Sequence, residues 1–253
     1  MELVVSHVML VAIRIGGLMS FAPFFGNGAM PNSVKGFLTL ALTALLLPVY
    51  TAAPWHAADS VSSWAAMALG EAVVGLMLGI TTQFVFDGME LAGQIVGFQF
   101  GFSLVNVIDP NSNVEITVLS TYHSFVALLI FMELGVQRWL LRATAMSFEM
   151  LPVGKMASLR VPGPEMMHAA GAMWLIGAEI AVPILVATIF IDVAIGFLTK
   201  ASPQFPALFA GISVKVLIGF AILFGTVSFW PRALEHYFYQ SLQTLEQFLS
   251  IGK

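Results

Sequence analysis

Long stretches of this sequence carry no charge, and any fold must accommodate them. Ile15 to Val34, Leu91 to Ile108 and Ile116 to Met132 contain no Asp, Glu, Lys or Arg. Trp64 to Phe86 contains only Glu71, Met166 to Leu198 only Glu179 and Asp192, and Val214 to Trp230 only Lys215. Across 253 residues there are 10 basic and 14 acidic side chains, 9 % charged, against about 25 % in an ordinary soluble domain. Hydrophobic residues make up 58 %, and the mean hydropathy is +0.91. A water-soluble monomer of this composition would lack the polar surface to cover its apolar surface. What fits is a membrane protein or a subunit buried in a larger assembly. High apolar content with a net charge of −4 excludes disorder. Ten scattered Lys and Arg form no phosphate-tracking stripe, so no nucleic-acid partner is expected. The absence of cysteine excludes disulfides, thiolate catalysis and cysteine metal sites.

Proline, glycine and polar clusters divide the apolar runs. The start, Met1-Glu2-Leu3, has no basic region before the apolar run and does not read as a secretory signal. A helix is expected to about Ser20, then a loop through Pro23, Gly26-Asn27-Gly28 and Pro31. Pro31-Asn32-Ser33 reads as the start of a second helix over Gly36 to Pro48. Further loops are expected at Pro48 to Asp59, Asp109 to Asn113, Pro152 to Glu165 and Ser202 to Pro206. A continuous helix from Trp64 to Leu104 would be roughly 60 Å long. That exceeds a bilayer core, so this segment must bend, break or leave the membrane. The runs are poor simple spans and suit helical hairpins packed against other protein. The tail from Arg232 to Lys253 reads as amphipathic.

On a helical wheel, Gln83, Asp87, Glu90 and Gln94 fall within about 60° of one another, and Gly93, Gly97 and Gly101 repeat every four residues beside them. Gly75 and Gly79 form an earlier pair. Small residues permit close helix approach in an apolar environment. Acids there face protein or water. The seam therefore reads either as packing points with capping acids, or as a face lining a wet interior or docked on neighbours. Glu71, Glu179 and Asp192, with Arg14, Lys35, Lys200 and Lys215, are isolated charges. They suit either a proton relay or interhelical pairing.

No phosphate loop, dinucleotide fingerprint or nucleophile elbow is present. His7, His56, His123, His168 and His236 are not paired at helical spacing. No catalytic residue, cofactor or metal is expected, and the chain does not read as an enzyme.

Four stretches carry a family resemblance. They are Arg14-Ile15-Gly16-Gly17 with Ala22-Pro23-Phe24-Phe25-Gly26, Pro31 and Val34-Lys35; Gly93 to Ser103 leading into Asp109-Pro110; Leu151-Pro152-Val153-Gly154; and Ser202-Pro203-Gln204 before Gly211 and Val214-Lys215. In order and spacing they cover nearly the whole chain. The sequence resembles the FliR family of flagellar export-gate proteins and its SctT relatives in virulence type III secretion, and the second stretch looks more flagellar. Phe205-Pro206 stands where the family often has a polar residue.

The resemblance implies an all-α, membrane-associated subunit of kinked helical hairpins in a helical hetero-oligomeric export gate. It implies a FliP-like part over approximately 1–160 fused to a FliQ-like part over approximately 161–253. Implied partners are FliP and FliQ subunits, with FlhB, FlhA, the basal-body ring and the proximal rod beside them, and unfolded export substrates and membrane lipid. The implied place is the bacterial inner membrane at the flagellar basal body, with the complex projecting to the periplasmic side. The implied function is an entry channel for unfolded flagellar substrates, sealed by a plug loop near 101–117. The matching residues are Gly101, Phe102, Ser103, Leu104, Val105, Asn106, Val107, Ile108, Asp109 and Pro110. Its bulky apolar members can exclude water, and Asp109-Pro110 sets a turn. Rival readings are a virulence export subunit, a proton-coupled small-molecule transporter using Asp87, Glu90, Glu179 or Asp192, and a scaffold without pore contact.

Overall fold

The computed structural model describes residues 2–23, 30–50, 60–102, 118–154, 163–202 and 207–250. Among them there is no strand, as the apolar patterning requires. The helices are α1 (Glu2–Phe21), α2 (Asn32–Tyr50), α3 (Val61–Gln99), α4 (Val118–Leu134), α5 (Val136–Met150), α6 (Gly163–Ala201), α7 (Ala207–Thr226) and α8 (Trp230–Ser250). A 3-10 turn, Val227–Phe229, joins the last two.

Local chemistry explains several boundaries. The carbonyl of Pro31 accepts the N–H groups of Val34 at 3.0 Å and Lys35 at 3.2 Å, which opens α2. Pro48 falls inside α2 rather than ending it. The apolar run ending at Trp230 does not end the helical structure either. Pro231 is the second residue of α8, where a missing N–H costs little. Pro183 lies within α6; it removes one ladder hydrogen bond and crowds the carbonyl of Glu179 one turn earlier. Gly135 takes φ 68° and separates α4 from α5, a bend of 67°. α3 runs unbroken for 39 residues, roughly 58 Å at the helical rise. Of the expected alternatives, breaking is therefore excluded over Val61–Gln99.

The chain forms two compact units, each assembled from separate stretches. One comprises 1–84, 131–171 and 238–253, the other 85–130 and 172–237. In the first, α1 lies directly on α3. A Cβ at Gly75 would strike the backbone carbonyl of Arg14, and one at Gly79 would come within 2.9 Å of Ala22 N. Gly17 returns the contact, since a Cβ there would lie 3.0 Å from Leu76 N and 3.1 Å from Ala72 O. Leu10, Ile15, Leu18, Met77 and Leu78 are fully buried. In the second unit, a Cβ at Gly88 would come within 2.8 Å of the Met173 carbonyl and Ile176 Cβ, and one at Gly93 within 2.7 Å of the Leu119 carbonyl. The Phe100 ring covers Gly219. His123 packs on Trp230 with ring centroids 4.8 Å apart.

Two glycines separate steric need from helix propensity. Gly75 has backbone where a methyl would go, whereas nothing lies within 4 Å of a Cβ at Gly196 in α6. Gly75→Ala is expected to destabilise the protein by about 1–3 kcal/mol through overpacking. Gly196→Ala is expected to be neutral or stabilising by up to ~1 kcal/mol. Thermal midpoints of the two variants in one detergent check this, and equal shifts would refute the α1–α3 contact.

Candidate functional site

The polar seam of α3 is partly covered. Gln83, Asp87 and Glu90 are half-buried and Gln94 is exposed. Gln94 Nε2 lies 3.5 Å from Glu90 Oε1, a long hydrogen bond. On the far side Val85, Met89, Ala92 and Val96 are buried. Gly93 and Gly97 are buried as well. Sequence reasoning did not single out Phe98, one turn beyond Gln94, which is 71 % exposed.

At the end of α3 the chain turns through a fixed corner. Gly101 takes φ 81°, its N–H donates to the Phe98 carbonyl at 3.0 Å, and the Phe102 N–H donates to the Gly97 carbonyl at 3.0 Å. These paired bonds around a left-handed glycine are a Schellman cap. Gly101 therefore serves here as a set direction rather than as a free joint. Ser103, Leu104, Val105, Asn106, Val107, Ile108, Asp109 and Pro110 lie outside the described residues. Phe102 and Val118, at the two ends of that stretch, line one apolar cavity of about 330 Å³ with Tyr122, Phe220 and Phe224.

The most strongly organised polar group is buried in the first unit. Arg14, in mid-α1, is fully buried and meets Glu71 of α3, also fully buried, at 2.5 Å from Nε to Oε2. Nη1 donates to the Ser147 carbonyl at 2.9 Å and to Ser147 Oγ at 3.2 Å, and Nη2 donates to the Leu151 carbonyl at 3.0 Å. The Ser147 hydroxyl in turn donates a hydrogen bond to the Thr144 carbonyl at 2.7 Å. The second Glu71 oxygen accepts the Gly154 N–H at 2.9 Å, where Gly154 has φ 84°. The Phe148 ring lies 4.3 Å from Arg14 Cζ. Both charges are thus neutralised and hydrogen-bonded, the condition under which burial is tolerable.

Two other isolated acids are also held. Lys215 Nζ of α7 lies 2.5 Å from Asp192 Oδ1 of α6. The Tyr237 hydroxyl donates to Glu179 Oε2 at 2.7 Å. For Arg14, Glu71, Asp192 and Lys215, interhelical pairing is what the structure shows. Their isolation in apolar runs was the sequence signal for pairing, but with three such acids and four such bases it did not say which would meet. His123 is buried with Nδ1 2.7 Å from the Leu119 carbonyl. Among the described residues no group of three or more His, Cys, Asp or Glu could hold a metal.

Three helical stretches among the described residues are long and apolar enough to cross a membrane, Val61–Gln99, Gly163–Ala201 and Gly211–Leu249, and the bent α4–α5 pair makes a fourth if taken as one span. Fold and polar groups together define a helical membrane protein whose internal charges join helices. The model of the family described as bacterial export proteins, family 1, matches residues 5–241, and the chain belongs to this family, that of FliR. Curated relatives named Flagellar biosynthetic protein FliR include one from Escherichia coli (strain K12), 25 % identical over 94 % of this chain and 90 % of its own length. Others come from Pectobacterium carotovorum subsp. carotovorum, 26 % identical over 97 % of this chain and 94 % of its own length, and from Bacillus subtilis (strain 168), 24 % identical over 96 % and 94 %.

The buried pair makes a sharp prediction. Arg14→Met or Glu71→Leu alone leaves one charge stranded and is expected to cost about 3–5 kcal/mol. The double replacement leaves none and is expected to recover most of that loss. Accumulation in membranes and thermal midpoint read the cycle. Additive losses in the double variant would show that the two groups do not act as a pair.

Proposed function

We propose that this chain is a subunit of the flagellar type III export gate, forming with FliP and FliQ subunits the entry channel for unfolded flagellar substrates. The observation that carries this is membership of the export family over residues 5–241, with relatives named Flagellar biosynthetic protein FliR along nearly their whole length. Those names favour the flagellar over the virulence system. On this reading the protein sits in the inner membrane at the basal body, its complex rising to the periplasmic side, with FlhB, FlhA, the basal-body ring and the proximal rod as neighbours. The division into a FliP-like part, approximately 1–160, and a FliQ-like part, approximately 161–253, belongs to the same proposal. The chain works without catalysis, as a conduit.

Surface chemistry supports a multi-subunit assembly. Phe37 and Leu45 of α2, Phe190 and Phe197 of α6 and Leu217 of α7 are each about two-thirds exposed or more. Asp192, half exposed, sits among those apolar residues of α6. Lipid tails solvate the phenylalanines readily but an acid poorly, so a covering of protein suits this hairpin better. The polar face Gln83, Asp87, Glu90 and Gln94 asks for protein or water by the same argument.

We assign the seal to Gly101–Pro110. A channel wide enough for an unfolded chain leaks ions unless apolar side chains close it at rest. Phe102, Leu104, Val105, Val107 and Ile108 have that character, and Ser103, Asn106 and Asp109-Pro110 complete the segment. The fixed corner at Gly101 supports the reading because it gives the segment a defined point of departure.

The test is expression with and without the FliP and FliQ genes, followed by native mass and membrane potential. Alone, the chain is expected to aggregate; a monodisperse monomer in mild detergent would count against assembly. With partners, deletion of Ser103 to Asn111 is expected to leave the complex assembled and to raise resting ion leakage. An intact complex with unchanged membrane potential would move the seal elsewhere. Loss of assembly would make the segment structural.

A further inference from the structure

The groove between α5 and the end of α8, in the first unit, takes no part in the reading above. Its volume is about 330 Å³. Both helices are amphipathic. Leu140 and Phe148 of α5 are buried while Arg142 and Glu149 are exposed; Leu245 and Phe248 of α8 are buried while Gln243 and Glu246 are exposed. The rings of Trp139 and Tyr239 meet with centroids 4.6 Å apart. Trp, Tyr and Arg on amphipathic helices mark the level where a bilayer meets water.

The lining combines two chemistries. Trp139, Met146, Met150 and Tyr239 provide aromatic and thioether walls that adapt to an apolar chain. Arg142 and Glu246 line the same groove. Among the described residues they form no ion pair, with each other or with a third group. An opposite pair that shares a groove without closing on itself suits a ligand carrying both charges and an apolar tail.

We propose that this groove binds a zwitterionic phospholipid with a primary-amine head group. The phosphate meets the Arg142 guanidinium, whose planar fork suits two phosphate oxygens. The ammonium meets the Glu246 carboxylate. An acyl chain runs along Met146, Met150 and Trp139. A purely anionic lipid satisfies Arg142 but brings no partner for Glu246, so the groove discriminates by head group.

The test uses the full chain in its purified membrane complex, delipidated and then offered phosphatidylethanolamine and phosphatidylglycerol with matched acyl chains, with retention read by native mass spectrometry. The wild type is expected to retain phosphatidylethanolamine about tenfold better, the ratio expected from one additional charge-assisted contact. Glu246→Gln is expected to bring the two lipids to equal retention, and Arg142→Gln to lower both. Equal retention by the wild type, or a preference unchanged in Glu246→Gln, overturns the proposal. Ala143→Phe fills the groove while leaving both charges in place, so lipid retention undiminished in that variant overturns it even where Arg142→Gln fails to accumulate. A polypeptide rather than a lipid captured by a photoreactive side chain at Met146 also overturns it.

Discussion

The contact between Arg14 and Glu71 constrains the first unit more than any other. A guanidinium in mid-helix and a carboxylate in a 39-residue helix are both withdrawn fully from solvent. Such a pair gains little over two apolar side chains of the same size, because desolvation offsets the attraction. Its leverage lies in what it forbids. Sliding α1 by one turn along α3 would strand both charges, at several kcal/mol. The remaining donors then fix more of the chain, since Nη1 needs Ser147 and Nη2 needs the Leu151 carbonyl. Glu71, with one oxygen on Arg14, gives the other to Gly154. One ion pair thereby sets α1, α3, α5 and the Leu151–Gly154 turn in register. Gly75 is required at the same place, because the backbone of Arg14 rests where a side chain would be.

The same network joins two of the separate stretches on which the resemblance rests. Arg14-Ile15-Gly16-Gly17 and Leu151-Pro152-Val153-Gly154 are more than 130 residues apart, yet they are the two ends of one hydrogen-bond network. Gly17 belongs to the network's steric side, with its Cα against Ala72 and Leu76. Gly154 belongs to the electrostatic side, its left-handed backbone aiming the N–H at Glu71. Neither motif carries chemistry by itself.

Much of this was legible in advance, and the limits have physical causes. Several helix positions followed from the apolar runs and from Pro31, which acts locally. The 3.6-residue period placed Gln83, Asp87, Glu90 and Gln94 on one face, and they do lie opposite the buried Val85 and Met89. Partnerships were not legible, because a wheel drawn on one helix says nothing about which helix lies beside it. Arg14 and Glu71 read as isolated, as did Asp192 and Lys215. The amphipathic α5 escaped notice as a separate element because it follows α4 with only Gly135 between them. A glycine at 101 suggests backbone freedom on sequence grounds, whereas its hydrogen bonds make it a cap. The distinction depends on the carbonyls of Gly97 and Phe98, which sequence alone cannot orient.

The geometry around Gly101 bears on how the proposed seal would operate. Phe102 and Val118 line one cavity, so the two described residues that flank 103–117 lie close together. Fifteen residues paid out and back reach at most roughly 25 Å from that anchor, at 3.3–3.6 Å for each extended residue. That is enough to cross a conduit sized for an unfolded chain, with little to spare for wandering. Freedom at the root would spread the segment over many directions, most of them leaving the conduit open. The Schellman corner at Gly101 fixes the chain direction up to Phe102, and α4 fixes it again from Val118. Under the proposed seal, displacement by substrate would need only to move the middle, where the side chains of Leu104, Val105, Val107 and Ile108 are apolar and offer no directional hydrogen bonds of their own. A rigid root with a weakly held apolar middle is thus the arrangement under which a seal can both close reproducibly and open without unfolding its own helix.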